Sequence, residues 1–240
     1  MTRISLLGIP IDAVTEAEAV DWVAAALSEG RPRMIVSVNP ERIMQALADP
    51  SFAAVVRAAD LSLADGAGVL WAARHIKRPL PGRVSGVDFL YALAARGAAR
   101  SWRFFFLGGG AGVGEAAGTA LATAFPGFEL VGSFAGSPDP ADDAASVAAV
   151  QASGAQLVFV AYGAAGEEAW LARNLGRSGA VVGMGVGGAL DFISGRARRA
   201  PPFMRDHGLE WLHRLSRQPW RWRRMLALPR FVAHVLAAGR

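Results

Sequence analysis

The stretch LVFVAYGAAGEEAWLARNLGRSGAVVGMGVGGALDF, residues 157–192, decides the architecture. It opens with a short unbroken apolar run over 157–161, passes through a segment with apolar residues at helical spacing over 167–175, and returns to a second apolar run over 181–184. A glycine-rich turn follows the second run. Strands that are apolar on both faces must be covered on both faces, and a strand–helix–strand order joins parallel neighbours through the helix. The stretch therefore predicts a mainly parallel sheet packed between helices, an α/β fold.

The same rhythm extends outward in both directions. Further strands are predicted over 4–8, 34–38, 61–63, 103–107 and 129–132. Helices are predicted over 15–28, 40–48, 66–76, 87–98, 112–124 and 140–152. Thr15 followed by Glu18 makes a capping box, and Asn39-Pro40 places an N-cap before a proline at the first helical position. After Gly195 the rhythm changes: Pro201-Pro202 interrupts it, and two basic amphipathic helices are predicted over 204–215 and 220–238, the second begun at Pro219. The reading is an α/β body over 1–195 with an arginine-rich helical appendage over 196–240.

Charge divides at the same boundary. Residues 1–195 carry 14 basic and 18 acidic residues, whereas residues 196–240 carry 11 Arg, no Lys, and only Asp206 and Glu210 as acids. A segment this basic suits an anionic partner, and Arg used without Lys favours bidentate recognition of phosphate or carboxylate. Arg214, Arg217, Arg221 and Arg224 would lie within about an 80° arc if the helix were continuous, with Trp211, Trp220 and Trp222 nearby. With no cysteine, a disulfide framework and a thiolate metal site are both excluded. The N-terminus reaches Asp12 without the apolar core of a signal peptide, and no run is long and apolar enough for a membrane span.

In parallel sheets, ligands bind beyond the carboxyl ends of the strands. Three signals fall there. Ser37, Asn39 and Glu41 follow one strand and open a helix, where Asn39 serves either as a cap or as a ligand contact. Asp65-Gly66 follows another strand, as a turn or as a carboxylate on the sheet's active edge. Gly183, Gly185 and Gly188 satisfy GxGxxG, but the acid required about 20 residues onward in a dinucleotide site is missing. There is no DxD pair, and His75, His207, His213 and His234 have no metal-like spacing, so no metal site is expected. An enzyme handling a nucleotide diphosphate without a divalent cation would neutralise its phosphates with arginine.

Taken together, SVNPE (37–41), ADLSLADGAGV (59–69), Arg83 with GVDF (86–89), FFFLGG (104–109), GAAGEEAW (163–170), GVGGALDFISGRARRAP (185–201) and EWLHRLSRQPWRWRR (210–224) resemble the WecG/TagA/CpsF glycosyltransferase family over nearly the whole chain. The resemblance implies a Rossmann-like body and a C-terminal appendage that touches the membrane and completes the active site. It also implies transfer of a hexose-type sugar (of the ManNAc, ManNAcA or glucose class) from a UDP-sugar to an undecaprenyl-diphosphate-linked saccharide, with inversion and without a metal or other cofactor. Its setting would be peripheral, on the cytoplasmic face of an anionic cell membrane, in cell-surface polysaccharide synthesis.

Carried over residue by residue, the resemblance makes Asp65 the catalytic carboxylate, with Ser37, Asn39, Arg83, Glu167, Gly187 and Asp191 at substrate-binding positions. Arg214, Arg221 and Arg224 match diphosphate-binding arginines. Where the family has GxPxQExW this chain has GAAGEEAW, with Ala165 for Pro and Glu167 for Gln, which alters a position that could govern sugar preference. Two other function classes compete: a nucleic-acid-binding protein using the Arg/Trp tail, and an NAD-dependent oxidoreductase. The acidic body and the absence of a nucleic-acid motif argue against the first, and the missing acid against the second. Phe231, Val232 and Val235 form apolar faces that fit the body, a bilayer or a neighbouring subunit, so a homo-oligomer is open.

Overall fold

The computed structural model describes residues 1–163, 165–206, 208–217 and 222–238. A hairpin of β1 (Arg3–Leu6) and β2 (Ile9–Asp12) precedes α1 (Glu16–Glu29), β3 (Arg33–Val38), α2 (Pro40–Ala48), α3 (Pro50–Arg57), β4 (Leu61–Ala64), α4 (Ala67–His75) and α5 (Gly86–Ala98). Then come β5 (Arg103–Gly108), α6 (Val113–Ala124), β6 (Glu129–Phe134), α7 (Asp143–Ser153), β7 (Leu157–Ala161), α8 (Gly166–Ser178), β8 (Val182–Gly185) and α9 (Ala189–Ile193). Four helices close the described chain: α10 (Pro202–Asp206), α11 (Glu210–Arg217), α12 (Trp222–Met225) and α13 (Ala227–Ala238).

Strands β3 to β8 form one six-stranded sheet in the order β4-β3-β8-β7-β5-β6, with every neighbouring pair parallel. The period-2 alternation of each strand feeds two cores. Phe105, Leu107, Val158 and Val160 face the layer of α2, α3, α4, α7, α8 and α13. Phe104, Phe106, Leu157 and Phe159 face the layer of α1, α5, α6 and α9. The parallel α/β fold predicted from the strand–helix rhythm is the observed one. Two of the predicted helix starts take the cap geometry read from the sequence. The Thr15 hydroxyl accepts from the Glu18 amide while Glu18 reaches back to Thr15, and the Asn39 side chain accepts from the Arg42 amide at 3.0 Å.

Four local expectations are corrected. The strand expected over 4–8 is the first half of an antiparallel hairpin outside the main sheet, because Leu7 and Gly8 both take positive φ (52° and 78°) and reverse the chain. A buried carboxylate fastens this hairpin: Asp12 accepts from Arg3 Nε at 2.8 Å and from the Ser62 amide of β4 at 2.8 Å. Helix α3, unpredicted, starts at Asp49, whose side chain caps the amides of Ser51 and Phe52 beside Pro50. The glycine turn after β8 leads straight into α9, a five-residue helix also unpredicted. Among the described residues, the two helices expected over 204–215 and 220–238 are replaced by four shorter ones, and Pro219 lies outside the described residues.

Helix α13 packs chiefly on α2 and also on α4, with Phe231 and Val235 buried and Val232 exposed. Beneath it, α4 approaches α2 closely at Gly68, where a Cβ would come within 2.8 Å of the Pro40 ring. Farther up the C-terminal segment, Arg199 forks onto Asp88 of α5, with Nη2 to Oδ2 at 2.7 Å. Glu210 lies 3.6 Å from both Arg199 and Arg83. Among the described residues no helix is long and apolar enough to cross a membrane.

Candidate active site

A cavity of about 680 Å³ opens at the carboxyl ends of β3, β4, β7 and β8. Its walls come from strand-end turns, from α2 and from the C-terminal helices. β3 delivers Ser37 and Asn39, and the residue after β4 is Asp65. The turn after β8 supplies Gly185 to Gly188, and the loop before α5 supplies Arg83. Glu210, Trp211, Arg224, Leu228 and Arg230 close the open side.

Ser37, itself buried, donates its hydroxyl to Asp65 Oδ2 at 3.3 Å, and the Asp65 amide donates to the Val38 carbonyl at 2.8 Å. The parallel pairing of β3 with β4 fixes this arrangement, because it sets Val38 opposite Ala64 and so brings the two strand ends level. The carboxylate is thus aimed at the cavity by the register of the sheet.

Cations ring the cavity, and most already face carboxylates. Arg224 Nη2 lies 3.0 Å from Glu41 Oε2, and Arg83 Nη1 lies 3.6 Å from Glu210 Oε2. Arg199 holds the Asp88 carboxyl down at about 2, because its guanidinium bonds the charged form, with the Ser85 hydroxyl assisting. Among the described residues no group of three or more His, Cys, Asp or Glu side chains is placed to hold a metal ion.

Asp65, Ser37, Asn39, Arg83, Gly187 and Arg224, all singled out in the sequence, come together around this one cavity. Asp191 lines a neighbouring cleft with Gly108 to Gly110, Gly136 and Tyr162, and the two spaces share Gly163, Gly187 and Gly188. Glu167 does not line the cavity. It is fully buried beneath it, in contact with Arg42 and with the Gly187 amide. Arg221 lies outside the described residues, as does the side chain of Arg214.

Sequence reading passed over Arg42 and Arg230. Arg42 sits one turn into α2 and looks like an ordinary surface-helix residue, yet it is buried and lines the cavity. Arg230 is separated in sequence from the arginine cluster before it, and only the docking of α13 brings it to the cavity mouth.

Residues 4–240 match the model of the glycosyl transferase WecG/TagA/CpsF family. The chain belongs to that family. It is therefore a glycosyltransferase, and its cavity at the sheet's carboxyl edge is the place to seek the chemistry. The chain is also similar to an N-acetylglucosaminyldiphosphoundecaprenol N-acetyl-beta-D-mannosaminyltransferase of Bacillus spizizenii strain W23, 34% identical over 210 residues covering 88% of this chain and 81% of that one. A protein of the same name from Bacillus subtilis strain 168 is 30% identical over 204 residues, covering 85% and 78% of the two chains. Nucleic-acid binding and NAD-dependent oxidation have no counterpart in these matches.

Proposed function

We propose that this family member transfers a hexose-type sugar, of the N-acetylhexosamine class named for its relatives, from a UDP-sugar to an undecaprenyl-diphosphate-linked saccharide, with inversion at the anomeric carbon. The observation that carries the reading is the placement of Asp65, hydrogen-bonded by Ser37, at the end of β4 within a cavity ringed by Arg83, Arg224 and Arg230. Asp65 takes the proton of the acceptor hydroxyl as that oxygen attacks the anomeric carbon. The bond from the anomeric carbon to the UDP oxygen breaks as the new glycosidic bond forms, and its electron pair leaves on the diphosphate. The hydroxyl of Ser37 keeps the carboxylate oriented toward the incoming oxygen.

The glycine-rich cleft beside the cavity suits the nucleotide. Gly108 to Gly110 and Gly136 let backbone come close to a ligand, and Asp191 is a carboxylate suited to ribose hydroxyls. Arg83, Arg224 and Arg230 stand where charge develops on the leaving diphosphate, with Arg214 and Arg221 assigned to the same task by the family pattern. To engage phosphate, Arg224 exchanges its contact with Glu41, and Arg83 exchanges Glu210.

Residues 196–240 act as an appendage that meets the bilayer. Seven of the eleven exposed large apolar side chains among the described residues lie there, including Phe203, Trp211, Trp222 and Leu226. Exposed aromatics interleaved with arginine suit an anionic membrane surface on the side where a lipid-linked acceptor is presented. The protein then works as a peripheral protein of the inner membrane face.

The test is sugar transfer with purified protein, anionic vesicles, an undecaprenyl-diphosphate acceptor and a panel of UDP-sugars. Asp65→Asn should lower kcat by about 10²–10⁴, the usual worth of a general base. Transfer by Asp65→Asn at near wild-type rate, or a product that keeps the donor's anomeric configuration, would refute the reading.

A further inference from the structure

Three charged side chains lie buried at the cavity, Arg42 lining it and Glu167 and Glu168 behind Arg42, and the proposed chemistry uses none of them. Arg42 is 8% exposed, and Glu167 and Glu168 are 0% exposed. The two guanidinium ends of Arg42 are divided between the carboxylates, Nη2 on Glu167 and Nη1 on Glu168. Glu167 then uses its second oxygen, Oε2, to accept the backbone amide of Gly187 at 2.9 Å. On the other side, the Arg42 amide donates to the Asn39 side chain at 3.0 Å. Arg42 thus touches both ends, through its backbone amide to Asn39 and through its guanidinium and Glu167 to the Gly187 amide, both Asn39 and Gly187 lining the cavity.

Buried ion clusters seldom add stability over well-packed apolar replacements, because desolvation offsets their attraction. What they do provide is geometry, since each partner left unmatched is costly. Here the geometry concerns a glycine-rich turn: residues 185, 187 and 188 are glycines and Gly187 takes φ 53°, and while Val186 and Ala189 bond backbone carbonyls through their own amides, the Gly187 amide is held by Glu167. Packing points the same way. A Cβ on Gly185 would fall 2.7 Å from Cγ of Glu167, so the strand end and the carboxylate are fitted to each other.

We propose that Glu167, with Arg42 as its buried counter-charge, is a positioning residue whose Oε2 sets the Gly187 turn that lines the sugar-transfer cavity. The inference rests on reading that cavity as the transferase site. Glu167 acts through the backbone of Gly187 and does not touch the substrate. Glu168 serves as the second counter-charge that fixes the rotation of the Arg42 guanidinium.

Two triple variants of the full chain separate this role from mere stability. Arg42→Met, Glu168→Gln and Glu167→Gln together remove all three charges but leave an amide oxygen to accept the Gly187 amide. Arg42→Met, Glu168→Gln and Glu167→Leu are equally neutral but leave no acceptor. Both are assayed at a temperature well below the lower of their two melting points. The Gln triple should transfer sugar within about fivefold of wild type, and the Leu triple should lose about 50-fold or more in kcat. Amide hydrogen exchange in the peptide containing Gly187 should quicken in the Leu triple only.

Equal rates and equal exchange in the two triples would overturn the proposal. If either triple does not fold, the single variants Glu167→Gln and Glu167→Leu are compared in the same way, with the same deciding outcomes. Asp65→Asn is run alongside. If that variant keeps full transfer, the site assignment is what fails, and the exchange of Gly187 still reports on the clamp by itself.

Discussion

Replacing Phe231 by Ala tests how the C-terminal helix serves the cavity. Phe231 is 1% exposed and Val235 0%, and these two are the buried residues of α13. Each contributes about 1.5–3 kcal/mol by leaving water, so the helix is docked by a gross apolar term of roughly 5 kcal/mol. The Arg224–Glu41 pair upstream adds little, because its arginine side chain is 50% exposed and such contacts are worth about 0–1 kcal/mol. Truncating a buried Phe to Ala costs about 3–5 kcal/mol where the site does not collapse, which is most of the docking term. The helix should then detach locally while the sheet and its other helices stay folded.

A loss of about 3 kcal/mol raises the undocked population by about 10²-fold. Hydrogen exchange over residues 227–238 should quicken by a similar factor, and the main thermal transition should move little. Transfer should fall with it, because α13 carries Leu228 and Arg230 into the cavity wall. Unchanged protection of α13, or a drop of many degrees in the main transition with α13 still protected, would refute the idea that the helix is a docked wall of the site.

Other consequences concern the attachment of the C-terminal segment and the core. Asp88, held at about 2 by Arg199 against 3.8 for a free aspartate, contributes stability that is full above pH 4 and lost as pH falls from about 4 to 2. Its side chain is 38% exposed, so solvent screening reduces the effect to about 1 kcal/mol. Arg199→Met should flatten that part of the stability–pH curve, and an identical curve in both proteins would show that the pair does not fasten the segment. Trp170, fully buried, donates its indole N–H to the Ser146 hydroxyl at 2.9 Å. Trp170→Phe should cost about 1–2 kcal/mol and lower the melting temperature by several degrees with kcat nearly unchanged; an unaltered melting temperature would contradict it.

Much of this molecule was legible before folding was considered. The runs at 34–38, 103–107 and 157–161 are apolar on both faces apart from Ser37 and the leading Arg103, so parallel strands covered by helices are what they predict. Thr15 with Glu18 and Asn39 with Pro40 act within three or four residues, so their caps follow from composition alone. Asp65 was readable for a related reason: an acid directly after a strand of a parallel sheet stands on the ligand-binding edge. Local signals misled where a single residue's conformation decided the outcome, as at Leu7 and Gly8, whose positive φ values turn one expected strand into a hairpin.

What the sequence by itself determined, then, is the layer architecture, the main strand–helix order and the strand-end positions of Ser37, Asn39, Asp65 and Gly187. What only the tertiary structure decided is which distant charges meet. Arg42 and Glu167 are 125 residues apart and Arg199 and Asp88 are 111 apart, and no periodicity links either pair. The physical reason is that helical and strand patterns record only whether a side chain faces the core or water. Whether a buried charge finds a partner depends on the sheet order β3-β8-β7, which brings Arg42 at the start of α2 to Glu167 and Glu168 at the start of α8, and on the docking of α13 over α2.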